Sequence, residues 1–247
     1  MPAKRARLDA VLVHQGLFPS REQAQRAIMA GEVRLGDRVL NKASVQVQPD
    51  AELLIAAPPK FVGRGGLKLE GALDHFCINP FGAIALDIGA STGGFTDCLL
   101  QRGVAKVYAI DVGHGQLAWK IRNDSRVIVR ENLNARYLTP TDIPAPIDLC
   151  VIDVSFISLT LILPRAFDLI TPTGVILALI KPQFELEKAD VGRGGIVSDP
   201  ALHEKARRKI EQFLVEQGHL VEGLVASPIT GTDGNQEFFI CARKRSA

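Results

Sequence analysis

Four charged residues stand where a layered α/β chain would deliver side chains to a ligand. Lys68 opens a helical stretch ahead of the apolar run Ile84–Ile88. Asp153 ends a strand in Val151-Ile152-Asp153-Val154-Ser155-Phe156, and Lys181 ends another in Leu179-Ile180-Lys181-Pro182-Gln183-Phe184-Glu185. Glu237 begins the last strand, in Asn235-Gln236-Glu237-Phe238-Phe239. Charged residues at the carboxyl ends of parallel strands normally face the ligand crevice. A lone lysine there is usually only solvated. Two lysines and two acids around one crevice form a set able to move a proton or stabilise developing charge. His114 and His203 are paired with no placed nucleophile, so they read as surface or packing residues and hydrolase chemistry has little support. The four cysteines, Cys77, Cys98, Cys150 and Cys241, are too scattered to pair as metal ligands, and no metal is expected.

The crevice is announced by Ile84–Asp97, IALDIGASTGGFTD: an apolar run ending in an acid, a glycine-rich turn and a helix start. That order opens a nucleotide-binding α/β sheet. The turn Gly89-Ala90-Ser91-Thr92-Gly93-Gly94 is not G-x-G-x-x-G, because Ser91 takes the second glycine place, and no Gly-Lys-Ser/Thr follows. The next strand ends at Asp111, where an acid can accept both ribose hydroxyls of a nucleoside. Asp87 and Asp111 frame the site. Acids here suit the ammonium of a methionine moiety better than a pyrophosphate, which wants bare amides and cations. S-adenosylmethionine is therefore favoured over NAD, with contacts from Asp87, Gly89, Ala90, Ser91, Gly93, Gly94, Phe95 and Asp111. From these residues alone it stays open whether Asp87 merely caps the turn and Asp111 merely ends its strand.

Further strands are expected at Lys106–Asp111, Val127–Val129, Ile147–Val154, Val175–Ile180, Leu220–Ala226 and Phe238–Arg243, and helices at Phe95–Gln101, Leu159–Ile170 and Pro200–Gln217. The strands are continuous apolar runs, as expected when helices cover both faces, and right-handed crossovers give one doubly wound sheet. The final pair, meeting around Gly231–Gly234, suggests an antiparallel hairpin at one edge. Seven strands with that edge resemble the Rossmann-like fold of S-adenosylmethionine-dependent methyltransferases.

Ahead of this body lies a small basic unit. Met1–Lys68 holds 11 Lys and Arg against 6 Asp and Glu, a balance of +5, whereas Leu69–Ala247 holds 18 against 21, a balance of −3. A basic end on a near-neutral body suggests an acidic partner such as nucleic acid. Leu8, Leu12, Val13 and Leu17 recur at helical spacing. Ser20 reads as the N-cap of a second helix, with Gln23 as its capping-box partner, and Gly31 stops that helix. Short strands follow at Val33–Leu35, Arg38–Leu40 and Glu52–Ile55. Basic residues cluster as Lys4, Arg5 and Arg7, then Arg21 and Arg26, then Arg34 and Arg38. The matching elements Arg7-Leu8-Asp9, Gly16-Leu17, Ser20-Arg21, Ala24, Ala30-Gly31-Glu32-Val33 and Lys42 resemble the S-four-type RNA-binding domain, which implies RNA binding by the two-helix face.

Lys68, Asp153, Lys181 and Glu237, in that order and in those surroundings, resemble the tetrad of FtsJ-type ribose 2′-O-methyltransferases. RGGLKLE, LDIGASTGGFTD, IDVSFISL, LIKPQFE and GNQEFF, behind the basic unit, are similar to the TlyA (hemolysin A) family of ribosomal RNA methyltransferases over nearly the whole chain. Phe61 and Gly63 depart from a Tyr and a Ser usual there. The resemblance implies an α/β chain with an RNA-binding domain over 1–57, a linker over 58–66 and a methyltransferase domain over 67–247. It implies methylation of a ribose 2′-hydroxyl of ribosomal RNA, at cytidine. A ribose hydroxyl is a weak acid, so positioning and a base are needed. A lysine serves as base when desolvation or a neighbouring cation eases loss of its proton. Lys181 is the candidate base, Lys68 the neighbouring cation, and Asp153 and Glu237 the orienting acids. The acids push against that proton loss, and the residues alone do not decide the balance. Asn134 fits the family's adenine contact better than Asn132. Arg5, Arg7, Arg21, Arg26, Arg64 and Arg193 are the expected RNA contacts, with Gly192–Gly195 in a loop closing over RNA. The expected partner is ribosomal RNA or a ribosomal subunit, without DNA or membrane, for a cytoplasmic monomer. Free thiols and the lack of a membrane-length apolar run fit that expectation. A pore-forming protein and a non-catalytic ribosome-assembly factor are the competing readings; the first lacks a membrane-length segment, and the second does not explain an intact tetrad.

Overall fold

A computed structural model of the chain describes residues 5–56 and 59–245. Lys4 of the basic cluster, Ala57 at the end of the first expected domain and Pro58 of the linker lie outside the described residues. The chain forms two compact units, Met1–Lys60 and Phe61–Ala247.

The first unit runs β1 (Ala6–Arg7), α1 (Leu8–His14), α2 (Arg21–Met29), β2 (Val33–Leu35), β3 (Arg38–Val39), β4 (Gln46–Val47) and β5 (Leu53–Ile55). Its three-stranded sheet has the order β3-β2-β5, and β1 pairs with β4. The β1–β4 ladder is two residues long in each strand, too short to leave a periodic signal in sequence. Ser20 caps α2, its hydroxyl accepting the Gln23 amide at 3.3 Å. Leu8, Val11, Leu12, Ala24, Ile28 and Val33 close the core. Beside them lies a fully buried acid, Asp9. Its carboxylate accepts Arg7 at 3.0 Å, Arg21 at 2.8 Å and Gln25 at 2.6 Å. The Arg7 hydrogen bonds, backed by Arg21 and Gln25, hold that carboxyl well below the usual range against the opposing effect of burial.

The second unit runs α3 (Gly65–His75), β6 (Ile84–Ile88), α4 (Gly94–Gln101), β7 (Lys106–Ile110), α5 (Trp119–Arg122), β8 (Val127–Arg130), β9 (Ile147–Ile152), α6 (Leu163–Leu169), β10 (Ile170–Ile180), α7 (Pro182–Glu185), α8 (Pro200–Glu216), β11 (Leu220–Ala226) and β12 (Phe238–Arg243). One seven-stranded sheet has the order β11-β12-β10-β9-β6-β7-β8. The strands from β10 to β8 are parallel, and β12 runs antiparallel between β10 and β11. Both faces are covered, so apolar residues alternate between two cores rather than between core and water. Leu86, Ile88, Ile110, Cys150 and Ile152 pack towards α6 and α8. Ala85, Val107, Ala109, Leu149 and Val151 pack towards α3, α4 and α5.

The strand expected over Ile147–Val154 ends at Ile152, leaving Asp153 just outside it, and two further elements differ more. The helix expected over Leu159–Ile170 is split into a 3₁₀ turn, Leu159–Leu161, and α6. Pro164 in the first turn of α6 has no amide proton to continue a helix from upstream. Strand β10 starts five residues before the expected Val175, with an irregular register between Ile170 and Val175. The Phe61–Gly66 stretch belongs to the second unit. Phe61 is buried, the Val62 amide donates to Asp97 at 2.8 Å, and a Cβ on Gly94 would come within 3.1 Å of the Gly63 carbonyl. Among the described residues no helix is long and apolar enough to cross a membrane.

The Asp9 cluster yields a stability test. Asp9→Asn should lower full-length stability by about 1–3 kcal/mol at neutral pH, because it weakens a charge-assisted buried network. Asp9 is depressed when folded, so its contribution is present above the unfolded carboxylate value of about 4 and fades as pH falls below it. Denaturant titrations should show a constant gap to wild type from about pH 5 to 8 that closes in acid.

Candidate active site

The carboxyl ends of β6, β7, β9 and β10 lie on one edge of the sheet, and the candidate residues gather there. The Asp153 amide donates to the Ile88 carbonyl at 2.9 Å, extending the ladder one step beyond β9. Gly89 then leaves β6 at φ +88°, beside the Asp153 carbonyl. Any Cβ at that position would collide with that oxygen, which is why a glycine stands there. Ser91, in the second glycine place, takes φ +47° all the same. A non-glycine residue in that region is strained, and here its amide is held by a hydrogen bond to Asp111 Oδ2 at 2.7 Å. Asp111 Oδ1 accepts the Gly113 amide, also at 2.7 Å. Each oxygen keeps a further lone pair, so the carboxylate is oriented yet still able to accept two hydroxyls.

Asp87 is placed differently from Asp111. It is fully buried beneath the turn on the α4 side and lines neither cavity described below. Thr96 donates its hydroxyl to Asp87 Oδ2 at 2.6 Å, while Oδ1 has no partner among the described residues. Burial, aided by the nearby Asp153 and Asp111 charges, pushes Asp87 up to about 7.

Two cavities flank the Gly89–Asp153 seam. One, of about 380 Å³, is lined by Ile88, Ile110, Asp111, Leu133, Asn134 and Ile162 among others. A slot with apolar walls and a few polar groups, among them Asp111, Asp153, Gln116 and Asn134, suits a nucleoside. Asn134 is partly buried there, its Oδ1 accepting the Arg136 amide at 3.1 Å, whereas Asn132 is exposed with φ +58°. The other cavity, of about 410 Å³, is lined by the tetrad Lys68, Asp153, Lys181 and Glu237, and by Ala90, Ser91, Gly94 and Phe95 from the turn. Gly89, Ser91 and Asp153 line both.

The tetrad is arranged as two ion pairs. Lys68 Nζ lies 2.5 Å from Glu237 Oε2, with both side chains at 10% exposure or less. Lys181 Nζ lies 2.6 Å from Asp153 Oδ1, and donates to Ser155 Oγ at 2.9 Å. Asp153 Oδ1 makes no hydrogen bond of proper angle, so this pair is a close charge contact rather than an aligned bond. Breaking either pair leaves a poorly hydrated charge, which is costly.

Arg64 also lines the tetrad cavity and donates to the Thr230 carbonyl at 3.0 Å. Arg193 is exposed and lines neither cavity. In the first unit Arg5 is exposed, Arg26 pairs with Glu22 at 3.4 Å, and Arg7 and Arg21 are half-exposed while committed to Asp9. Several residues were not singled out by sequence reasoning. Ser155 holds Lys181, and Asn235 ties the Gly192–Gly195 loop through the Gly195 carbonyl at 2.9 Å and the Val197 amide at 2.8 Å. Phe156, 90% exposed at φ +64°, lines both cavities and contacts the Phe184 ring at 4.9 Å. The signal was present in the flanks of VSF and GNQE, but their roles depend on loop geometry.

A family model described as FtsJ-like methyltransferase matches residues 61–244, and an S4 domain model matches residues 6–53. The Mycobacterium tuberculosis 16S/23S rRNA (cytidine-2′-O)-methyltransferase TlyA is 45% identical over 246 residues, covering 99% of this chain and 92% of that protein. The chain belongs to the TlyA family of FtsJ-like methyltransferases. The Bacillus subtilis protein YqxC, described as a candidate rRNA methyltransferase, is 48% identical over 97% of this chain and 86% of its own length. A solved Streptococcus thermophilus protein, described as a candidate hemolysin, superposes with a TM-score of 0.76 at 43% identity, covering 99% of this chain and 90% of that one. The seven-stranded sheet is thus that of a methyltransferase, behind an S4 domain.

Asp87 gives the test of this geometry. A carboxyl raised to about 7 keeps a proton that the unfolded chain releases near pH 4, so it lowers stability progressively as pH climbs between those values. Asp87→Asn removes that slope. Relative to wild type, the variant should gain more than about 1 kcal/mol between pH 5 and pH 7.5 in denaturant titrations.

Proposed function

We propose that the protein transfers the methyl group of S-adenosylmethionine to a ribose 2′-hydroxyl of ribosomal RNA, at a cytidine. The observation carrying this reading is the pairing of Lys68 with Glu237 and Lys181 with Asp153 around one cavity, across the Gly89 turn from a nucleoside-shaped slot. The site fits the cofactor. Asp111 is oriented by two amides with acceptor capacity left for the ribose, Asn134 lies beside the apolar slot, and the turn leads from there to the tetrad. When bound, the cofactor supplies a methyl group on a positively charged sulfur.

This chain's residues then have three tasks. Lys68 and Glu237 hold one wall of the cavity as a fixed pair. Asp153 and Ser155 hold Lys181 Nζ at the seam; once its own ammonium proton has passed to solvent, the uncharged amine would accept the proton of the ribose hydroxyl that the cofactor would methylate. Phe156 offers an exposed ring at the mouth, against which a base can stack. We read residues 1–57 as the RNA-delivering domain and 67–247 as the catalytic domain, with Phe61–Gly66 packed on the latter, so that the expected connection over 58–66 shortens to 58–60. Arg5, Arg7, Arg21, Arg26, Arg64 and Arg193 would contact phosphates, and the work would be done in the cytoplasm. The names of the M. tuberculosis and B. subtilis relatives support ribosomal RNA as the substrate.

The test is tritiated methyl transfer from S-adenosylmethionine to ribosomal RNA, with the methylated ribose mapped. Lys181→Ala should cost about a hundredfold or more in kcat while cofactor affinity stays within about threefold. Asp111→Ala should instead weaken cofactor binding by about tenfold or more. Wild-type transfer by Lys181→Ala would remove Lys181 as the base.

A further inference from the structure

Glu185 closes the Leu179–Glu185 run, yet it lines neither cavity at the sheet edge. It is 4% exposed. Its Oε1 accepts the Leu159 amide at 2.7 Å and its Oε2 the Ser158 hydroxyl at 2.5 Å. Lys209 of α8 reaches the same carboxylate at 3.1 Å and donates to the Glu185 carbonyl at 2.5 Å. A buried carboxylate is costly to desolvate, and this one is satisfied entirely by groups from two other segments.

Those segments matter for the tetrad. Ser158 and Leu159 end the loop that leaves β9 through Asp153, Ser155 and Phe156, and Glu185 stands one turn past Lys181. The β9–β10 ladder stops at the Ile152–Ala178 pair. Beyond it β9 and β10 no longer pair with each other: the Asp153 amide is held by the Ile88 carbonyl and β10 is held by β12 through Ile180, whereas the Lys181–Asp153 side-chain contact at 2.6 Å and the Phe156–Phe184 ring contact at 4.9 Å lie past the last paired residues. The Glu185 bonds close the open end of these two segments, as the ladder closes the other end.

We propose that Glu185 is a positioning residue: its carboxylate clasps the β9 loop to α7 and so holds Lys181 against Asp153, and Phe156 against Phe184, at the mouth of the reacting cavity. The inference rests on the methyl-transfer reading and adds to it a residue that touches neither cofactor nor RNA. A residue that merely anchored α8 would affect global stability alone. A positioning residue lowers turnover in a folded enzyme, because small misplacement of a reacting group is costly to rate.

The experiment uses the full-length chain with Glu185→Gln, Ser158→Ala and the double variant. Glu185→Gln keeps an acceptor for the Leu159 amide and removes the charge. The readouts are kcat and KM for ribosomal RNA, S-adenosylmethionine affinity by calorimetry, and amide hydrogen exchange over residues 154–159. Glu185→Gln should lose about 10–100-fold in kcat, with KM and cofactor affinity within about threefold, and should exchange faster over 154–159. The double variant should be no worse than Glu185→Gln, since both changes open one clasp. Wild-type kcat in folded Glu185→Gln, a loss confined to KM or cofactor affinity, or additive losses in the double variant would each overturn the proposal. Should Glu185→Gln fail to fold, Ser158→Ala alone decides: a reduced kcat supports the clasp and a wild-type kcat overturns it. Absence of transfer by the wild type would sink the methyl-transfer reading instead, and unchanged exchange over 154–159 in Glu185→Gln would then overturn the clasp on its own.

Discussion

The site depends on one backbone contact, the seam where Gly89 passes the Asp153 carbonyl. The parallel register of β6 and β9 brings Ile88 level with Ile152, and the Asp153 amide completes that register on the Ile88 carbonyl. With both chains leaving the sheet at the same height, the turn can bend away only if nothing projects from Gly89. Everything specific to the site is hung from that seam. The turn goes one way to Ser91 and Asp111, and the β9 loop goes the other way to Lys181 and Phe156. Two cavities share their wall there because the two chains do. A side chain at residue 89 would therefore disturb both cavities together.

The charges follow from how much water each position allows. The end of β6 is dry, so Asp87 is stabilised by Thr96 and by retention of its proton rather than by a cation. Asp111 is less buried, and each of its oxygens is fixed by one backbone amide. The lysines bring their own carboxylates into the cavity, which lowers the cost of burying four ionisable groups near one another. In the first unit the same logic is turned outward. A buried Asp9 holds Arg7 and Arg21 half-exposed, so these guanidiniums stand in fixed places instead of sampling rotamers.

Much of this was legible in the chain because it lies in local pattern. Ile84–Ile88, Leu220–Ala226 and Phe238–Arg243 appear as strands where continuous apolar runs place them. Ser20 caps α2 because a hydroxyl three residues ahead of a free amide has little else to do. What was not legible depends on contacts across the fold. Nothing around Asp87 says that it faces α4 rather than the ligand; that is decided by strand alternation and by Thr96 on the next helix. Asp9 reads as an ordinary first-turn acid until Arg21 and Gln25 arrive from α2. Lys68 reads as a neighbour of Lys181, but its partner is Glu237, 169 residues away in sequence. The divided helix at Leu159–Leu169 was signalled by Pro164 and missed because its apolar spacing runs on through the break.

The two ion pairs are unequal, and that inequality separates the lysines. Lys68 and Glu237 are both nearly excluded from water, and Lys68 donates to Glu237 in a proper hydrogen bond. Lys181 faces a more exposed acid, makes its aligned bond to a neutral hydroxyl, and touches Asp153 only through charge. Under the proposed reading an incoming hydroxyl would take the place of Ser155 at Lys181 Nζ before the amine gives up its own proton, one neutral oxygen replacing another. The same exchange at Lys68 would strand the buried Glu237 carboxylate without its cation. Of the two amines in the cavity, Lys181 is therefore the one that the proposed reading assigns to the reaction. Lys68 stays bound to Glu237 in the same cavity, and under that reading the Gly89–Asp153 seam would set where Lys181 meets the substrate.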